Sequence, residues 1–132
     1  MIEYDQTQDP AAPVLEVTLS GVRRAFPQRK LLALIDTGAD VSAIPSSLVT
    51  ILQLYTVGRI QIEGVDAEKS IFELFAVKLT LNGITISRLE VIATDLDFVV
   101  IGRDVLNQFY LLLNGPDGTF DLKKTPFIRT SL

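Results

Sequence analysis

Residues 31–40 read LLALIDTGAD, five apolar residues that run directly into an Asp-Thr-Gly sequence. An apolar run of this length is too short for an isolated helix and is typical of a strand that is buried on both faces. The strand would end at Asp36, and Gly38 would let the backbone approach another segment closely. A carboxylate at the end of a buried strand is partly desolvated, which is costly unless neighbours share its charge or donate hydrogen bonds to it. Asp36 is therefore a candidate catalytic residue, although it is also consistent with an exposed residue in a turn that ends the strand.

A second apolar run has the same form. Residues 98–104 read FVVIGRD, so this run also ends in a glycine, Gly102. We expect the two strands to pair beside one site. A short helix is predicted after Gly102, with Leu106 and Phe109 on one face because they are three positions apart. Asp104 is predicted to cap that helix.

Short strand signals fill most of the remaining sequence. Apolar and polar residues alternate over residues 75–81, and Asn82 and Gly83 then favour a type I′ hairpin because both positions of that turn need positive φ. The alternation resumes at Ile84 with a slip in phase near residues 87–88. A closing hairpin is predicted over residues 111–122. We interpret residues 1–13 as a loose N-terminal arm and residues 14–132 as a single domain.

The composition excludes several kinds of active site. The 132-residue sequence contains no Cys, His or Trp. A Ser-His-Asp triad, a His-containing zinc site and a thiol nucleophile are therefore all excluded. Any catalysis must rely on carboxylate, Lys, Tyr, Ser or Thr side chains.

Charge and hydropathy argue against nucleic acid and membrane partners. The 12 basic and 16 acidic residues give a net charge of −4, whereas a protein that binds phosphate backbones normally has a basic surface. We interpret the basic cluster of Arg23, Arg24, Arg29 and Lys30 as the solvated loop of a hairpin. No apolar run reaches the roughly 18–20 residues of a membrane helix, and the N-terminus lacks the apolar segment of a signal peptide. We expect a cytoplasmic location if this is the full chain. If it is an excised domain, the sequence predicts no location.

The order of these pieces resembles the retropepsin-like aspartic proteases, the single-domain relatives of the retroviral proteases. The matching pieces are the strand into residues 36–40, a central hairpin similar to a flap, and residues 100–104 followed by a short helix. The resemblance spans roughly residues 14–122. It implies an all-β fold, a closed β-barrel or sandwich with a flap hairpin and one or two short helices. It implies neither a cofactor nor a metal.

The resemblance also implies roles for individual residues. Asp36 would be the catalytic aspartate within the catalytic motif Asp36, Thr37 and Gly38, and the Thr37 hydroxyl would reach across a dimer. Arg103 would form a partly buried ion pair with Asp40, supported by Gly102 beside it. The substrate-binding residues that it implies are Ala39, Asp40, Gly64, Val65, Phe98 and Val100.

The predicted flap differs from the retroviral pattern. Residues 62–71 read IEGVDAEKSI, which is more charged than the glycine-rich tip of the retroviral enzymes. The difference leaves the substrate preference open, and the segment is also consistent with a simple acidic, exposed hairpin.

The number of catalytic motifs bears on assembly. Hydrolysis by this family requires two carboxylates that share a proton, one acting as base and one as acid. The sequence holds one Asp-Thr-Gly, so we expect a homodimer with twofold symmetry. The predicted function is an aspartic endopeptidase that cleaves an extended polypeptide. The alternatives are a non-catalytic module for dimerisation or peptide binding, and a subunit whose dimerisation depends on flanking domains.

Overall fold

The chain forms a closed ring of strands with a smaller sheet beside it. The computed structural model describes residues 1–64 and 66–128. The elements in chain order are β1 (Ile2–Glu3), β2 (Val14–Gly21), β3 (Gln28–Ile35), β4 (Ala43–Pro45), α1 (Ser47–Ile51), β5 (Thr56–Glu63), β6 (Lys69–Leu81), β7 (Ile84–Thr94), β8 (Val99–Ile101), α2 (Arg103–Leu106), β9 (Tyr110–Asn114) and β10 (Thr119–Lys123). The expected all-β class with short helices is confirmed.

Closure of the larger sheet makes the barrel. Its strand order is β2-β3-β8-β4-β7-β6-β5, and a further pairing of β2 with β6 joins the two sides. Six strands therefore form a ring, which leaves few unpaired sheet edges. β5 lies outside the ring and pairs with β6 as a hairpin. We call residues 56–74 the flap, and the expected flap hairpin is thus present.

Alternation along β6 places its apolar side chains in the barrel core. Phe75, Val77, Leu79 and Leu81 are all buried, whereas the residues between them are partly exposed. Burial of each such side chain contributes about 1.5–3 kcal/mol. The core therefore follows from the period-two pattern in the sequence.

The turn and the phase slip after β6 are confirmed. Asn82 and Gly83 have φ of 46° and 76°, as a type I′ turn requires. Val77 pairs with Leu89 and Leu79 pairs with Ile86, so residues 87–88 both lie opposite a single residue of β6. This β-bulge shifts the alternation by one residue and keeps apolar side chains of β7 directed at the core.

The smaller sheet holds part of the N-terminal arm. Its order is β1-β10-β9, in which β9 and β10 form the predicted closing hairpin. Ile2 pairs with Phe120, and the Tyr4 ring lies 6.0 Å from the Phe120 ring. The backbone of Asp5 bridges to Ala12. Residues 1–13 are therefore attached to the domain by backbone pairing and are not loose throughout, because even the two-residue strand β1 pairs with the edge that β10 offers.

Two other sequence expectations are wrong in detail. The strand at residues 31–35 is buried on one face only, since Ala33 is fully buried and Leu32 is 52% exposed. The uniformly apolar run concealed this difference between the two faces. The second helix ends at Leu106, so Phe109 lies beyond it. Its backbone N–H donates to the Leu106 carbonyl three positions earlier, which tightens the chain into a turn.

No helix within residues 1–64 and 66–128 is long and apolar enough to cross a membrane.

Candidate active site

The two apolar runs lie side by side as parallel strands. Leu34 pairs with Val100 and Ile35 with Ile101, as we expected from the sequence. The ladder continues one step further, because the Asp36 N–H donates to the Ile101 carbonyl at 2.9 Å. Asp36 and Gly102 therefore lie next to each other where the two strands end.

The Asp36 carboxylate is fixed by its own loop. The Gly38 N–H donates to Asp36 Oδ1 at 2.9 Å, and the Ala39 N–H donates to the Asp36 carbonyl at 3.2 Å. Asp36 is half-buried, whereas Thr37 and Gly38 are exposed. A hydrogen bond from a backbone N–H to a carboxylate is charge-assisted and restricts its orientation. This carboxylate can thus be approached by a ligand or water while its position is held.

Arg103 binds the loop at three points. Its backbone N–H donates to the Ala39 carbonyl at 2.8 Å, and Nη1 donates to the Thr37 carbonyl at 2.7 Å. Nη2 forms the expected ion pair with Asp40 Oδ1. The side chains are 44% and 78% exposed, so the pair is not partly buried as predicted. An exposed ion pair contributes about 0–1 kcal/mol. Arg103 therefore positions the loop mainly through the two carbonyls.

Gly102 is required because there is no space for a side chain. A Cβ at this position would lie 2.8 Å from the Ala39 carbonyl oxygen and 3.1 Å from the Val41 carbonyl carbon. Both neighbours are backbone atoms, which cannot move aside as a flexible side chain can. The loop after Asp36 thus packs directly on the start of α2.

Ser42 and Asp104 were not predicted as partners. Ser42 is 1% exposed, and its Oγ accepts a hydrogen bond from the Gly102 N–H at 2.9 Å and donates to Asp104 Oδ1 at 2.7 Å. Asp104 lies within the helix, whose N-cap is Gly102, so the predicted capping role is wrong. No local sequence signal reveals this contact because the two residues are 62 positions apart.

A cleft lies between the loop and the flap. Its volume is about 610 Å³. The loop contributes residues 38–41, the flap contributes residues 60–64, and Ile92 completes the lining. Three of the predicted substrate-binding residues, Ala39, Asp40 and Gly64, are therefore brought together. Val65 lies outside the described residues.

A smaller cavity of about 280 Å³ lies beside the N-terminal arm. Its apolar side consists of Val14, Leu32, Leu34 and Phe98, and its polar side consists of Asp5, Thr7, Gln8 and Asp97. Phe98 lies in the wall of this cavity, whereas Val100 is buried against Ala43 and Ile92 and is not in the lining of either cavity. The contribution of the arm was not predicted. The arm joins the cavity through long-range pairing that leaves no signal in its own sequence.

Comparison with known proteins agrees with this fold. Residues 24–108 match the family described as gag-polyprotein putative aspartyl protease. No curated protein matches the sequence.

Retroviral proteases are among the similar solved structures. The simian foamy virus (mac) protease has 17% sequence identity and a TM-score of 0.55, with 72% of this chain and 92% of that chain covered. The EIAV protease in complex with the inhibitor HBY-793 has 23% identity and a TM-score of 0.54, with 73% and 86% covered. The foamy viral protease-reverse transcriptase in complex with an RNA/DNA hybrid has 20% identity and a TM-score of 0.54. The alignment with that longer chain covers 72% of this chain and 12% of the viral one.

Similarity at these identities establishes the fold. The family match extends over well over half of the chain and includes both Asp36 and Arg103. The chain therefore belongs to the gag-polyprotein putative aspartyl protease family, within the retropepsin-like aspartic proteases.

Proposed function

We propose that the protein is an aspartic endopeptidase that acts as a homodimer with one catalytic aspartate, Asp36, from each chain. The observation that carries the proposal is the position of Asp36. Its carboxylate is oriented by the Gly38 N–H, is half-buried, and lies at the junction of the two paired motifs. The Asp-Thr-Gly sequence occurs once in the chain.

The second carboxylate comes from a second copy. Within the site, Asp40 is paired with Arg103, and Asp104 accepts hydrogen bonds from Ser42. Neither is free to share a proton with Asp36. A twofold axis beside Asp36 would bring two identical carboxylates together, and such a pair cannot readily ionise twice because the like charges repel. Thr37, which is exposed next to Asp36, is the residue that we assign to contacts across that axis.

The resulting pair supports hydrolysis without a cofactor. One Asp36 is ionised and removes a proton from a bound water as its oxygen attacks the peptide carbonyl carbon. The other, protonated Asp36 hydrogen-bonds the carbonyl oxygen as negative charge develops there. Transfer of a proton to the amide nitrogen then allows the C–N bond to break. The products are one carboxyl and one amino terminus, and the pair again shares one proton.

The cleft under the flap is the proposed substrate site. Its volume lies in the range of about 300–1,000 Å³ typical of ligand sites. Ala39, Asp40 and Gly64 would contact an extended substrate there, and we assign Val65 and the cavity residue Phe98 to substrate contacts too. Val100 would support the cleft floor from beneath. We assign residues 14–132 to the protease domain, with residues 1–13 as an arm that pairs with it.

Digestion of a randomised peptide library tests the proposal. Wild type is compared with Asp36→Asn, which is nearly isosteric, and with Asp95→Asn, which makes the same charge change in an exposed loop. We expect wild type and Asp95→Asn to cleave, and Asp36→Asn to lose at least about a hundredfold in rate, since general acid–base groups contribute roughly 10²–10⁴-fold. Cleavage by Asp36→Asn at the wild-type rate would contradict the assignment. Peptide binding without cleavage by the wild-type dimer would favour the non-catalytic module.

A further inference from the structure

The small cavity beside the N-terminal arm lies on the same face of the sheet as Asp36. Alternate residues of a strand share a face, so Leu32, Leu34 and Asp36 follow one another on that side of β3. Leu34 and Val100 are paired, which puts Phe98 on the same face of the neighbouring segment. Leu34 is two residues before Asp36, a distance of roughly 7 Å along a strand. A substrate residue close to the bond cleaved at Asp36 can therefore reach this cavity.

The cavity combines an apolar wall with an acidic rim. Leu32, Leu34 and Phe98 form the wall, and Leu32 is 52% exposed although it lies in the middle of a strand. Asp5 and Asp97 stand at the rim. The Thr7 hydroxyl and then the Thr7 backbone N–H, donating to Asp5 Oδ1 at 2.6 Å and 2.9 Å, lower the pKa of Asp5, so that its carboxylate remains ionised in mildly acid solution.

The charged side chains that line the two cavities are acidic. Asp40 and Glu63 line the larger cleft, as Asp5 and Asp97 line the smaller one. Among the residues that the structure describes, neither lining includes a Lys or an Arg. Asp40 is neutralised by Arg103, whereas the two carboxylates that line the smaller cavity have no cation in that lining, in which the other polar residues are the neutral Thr7 and Gln8.

We propose that this cavity binds a basic side chain, arginine or lysine, of the polypeptide substrate, so that the protein selects substrates with a basic residue close to the cleaved bond. The proposal rests on the proposed function. The aliphatic stem of the basic side chain would lie along Leu32 and Leu34, and its charged end would reach Asp97 and Asp5. The Phe98 ring would add a cation–π contact. Asp5 and Asp97 are then specificity-determining residues.

The size of the cavity fits one side chain. Its volume of about 280 Å³ is at the lower limit of sites for small-molecule ligands, which are typically about 300–1,000 Å³. An acidic side chain would be repelled by the rim. A purely apolar side chain would pack on the wall but would leave the two carboxylates without a cation.

Peptide sets that differ at one residue test the proposal. A short peptide library is made in four versions, in which one fixed position holds arginine, citrulline, norleucine or glutamate. Citrulline has nearly the shape of arginine and no charge. Cleavage is measured with wild type. Binding is measured with wild type and with Asp36→Asn by fluorescence anisotropy, so that the preference for one peptide set over another can be measured without cleavage. The rim is changed in the double variant Asp5→Asn, Asp97→Asn, and Asp95→Asn is the matched control because Asp95 lies outside both linings.

We expect the arginine set to be cleaved and bound roughly tenfold better than the citrulline set, since a hydrogen bond between charged groups is worth that much or more. The ratio should fall close to one in the double variant and stay unchanged in Asp95→Asn. The proposal would be overturned if wild type cleaved and bound the arginine and citrulline sets equally. It would also be overturned if the ratio of arginine to citrulline cleavage were unchanged in the double variant.

The two proposals fail in different ways. If wild type cleaves the arginine and citrulline sets equally, the proposed protease activity stands and the proposed specificity for basic residues is wrong. If wild type cleaves no peptide but binds the arginine set preferentially, and the double variant loses that preference, the proposed basic-residue site stands and the proposed protease activity is wrong. If neither set is cleaved or bound, both are wrong.

Discussion

Ser42 and Asp104 are joined by two hydrogen bonds across 62 positions of sequence, from the Ser42 N–H to Oδ2 at 2.9 Å and from the Ser42 Oγ to Oδ1 at 2.7 Å. The same Oγ accepts the Gly102 N–H. One buried hydroxyl thus connects the loop that follows Asp36 with the first turn of α2. The loop is held from beneath by Ser42 and from the exposed side by Arg103.

Ser42→Ala should lower the free energy of unfolding by about 1–3 kcal/mol, because it leaves the buried Gly102 N–H without an acceptor. Urea unfolding measures the loss. Ser20→Ala is the matched control, since Ser20 is also buried but donates only to the adjacent Gly21 carbonyl at 3.2 Å. If the two variants lose the same stability, the hydroxyl of Ser42 does not connect the two segments.

Gly102→Ala should destabilise the protein by about 1–3 kcal/mol and reduce peptide cleavage more than stability alone explains. The added Cβ would lie 2.8 Å from the Ala39 carbonyl oxygen, so the loop must move. Overpacking of this kind typically destabilises a protein by about 1–3 kcal/mol. Thermal melting and peptide digestion are the measurements. Gly115→Ala serves as the control, because no atom outside the adjacent residues lies within 4 Å of a Cβ built there. Equal stability of both variants would mean that the close approach at Gly102 is not rigid.

Arg103→Ala should destabilise the protein more than Asp40→Ala does. Loss of Arg103 removes the ion pair and also leaves the Thr37 carbonyl without its 2.7 Å donor, whereas loss of Asp40 removes the ion pair alone. Because the Asp40 side chain is 78% exposed, the coupling energy of the pair in a double-mutant cycle should be about 0.2–1 kcal/mol. Thermal unfolding of the two single variants and the double variant gives this value. A coupling energy above about 2 kcal/mol would show that the pair is buried in the assembled protein.

Local patterns in the sequence predicted the elements whose cause is local. The alternation along β6 and the positive φ of Asn82 and Gly83 follow from side chains within a few residues of each other, so both could be anticipated. The pairing of the two apolar runs could be inferred because each run leads into a short segment that contains a glycine and an aspartate, and the parallel direction of the pairing is a finding of the structure.

Contacts between distant residues could not be predicted in this way. The hydrogen bonds of Ser42 to Asp104 depend on a tertiary approach that neither residue signals. The exposure of Leu32 depends on which face of β3 the barrel covers, and a uniformly apolar run carries no information on that point. The arm near Asp5 reaches its cavity through pairing of β1 with β10, two elements at opposite ends of the described chain.

The specific activity of the protein should fall when it is diluted and when it is mixed with the Asp36→Asn variant. Each chain carries one Asp-Thr-Gly sequence and therefore half of the proposed carboxylate pair. Specific activity should rise with protein concentration and reach a plateau where sedimentation shows the dimer to dominate. If an equal amount of Asp36→Asn is then added at constant wild-type concentration and the subunits exchange, about half of the wild-type chains enter mixed dimers, so activity should fall to about half. An equal amount of an unrelated protein is the control for crowding and adsorption. A monomer that cleaves at the full rate, or activity that Asp36→Asn leaves unchanged after subunit exchange has been demonstrated, would show that one chain contains the whole site.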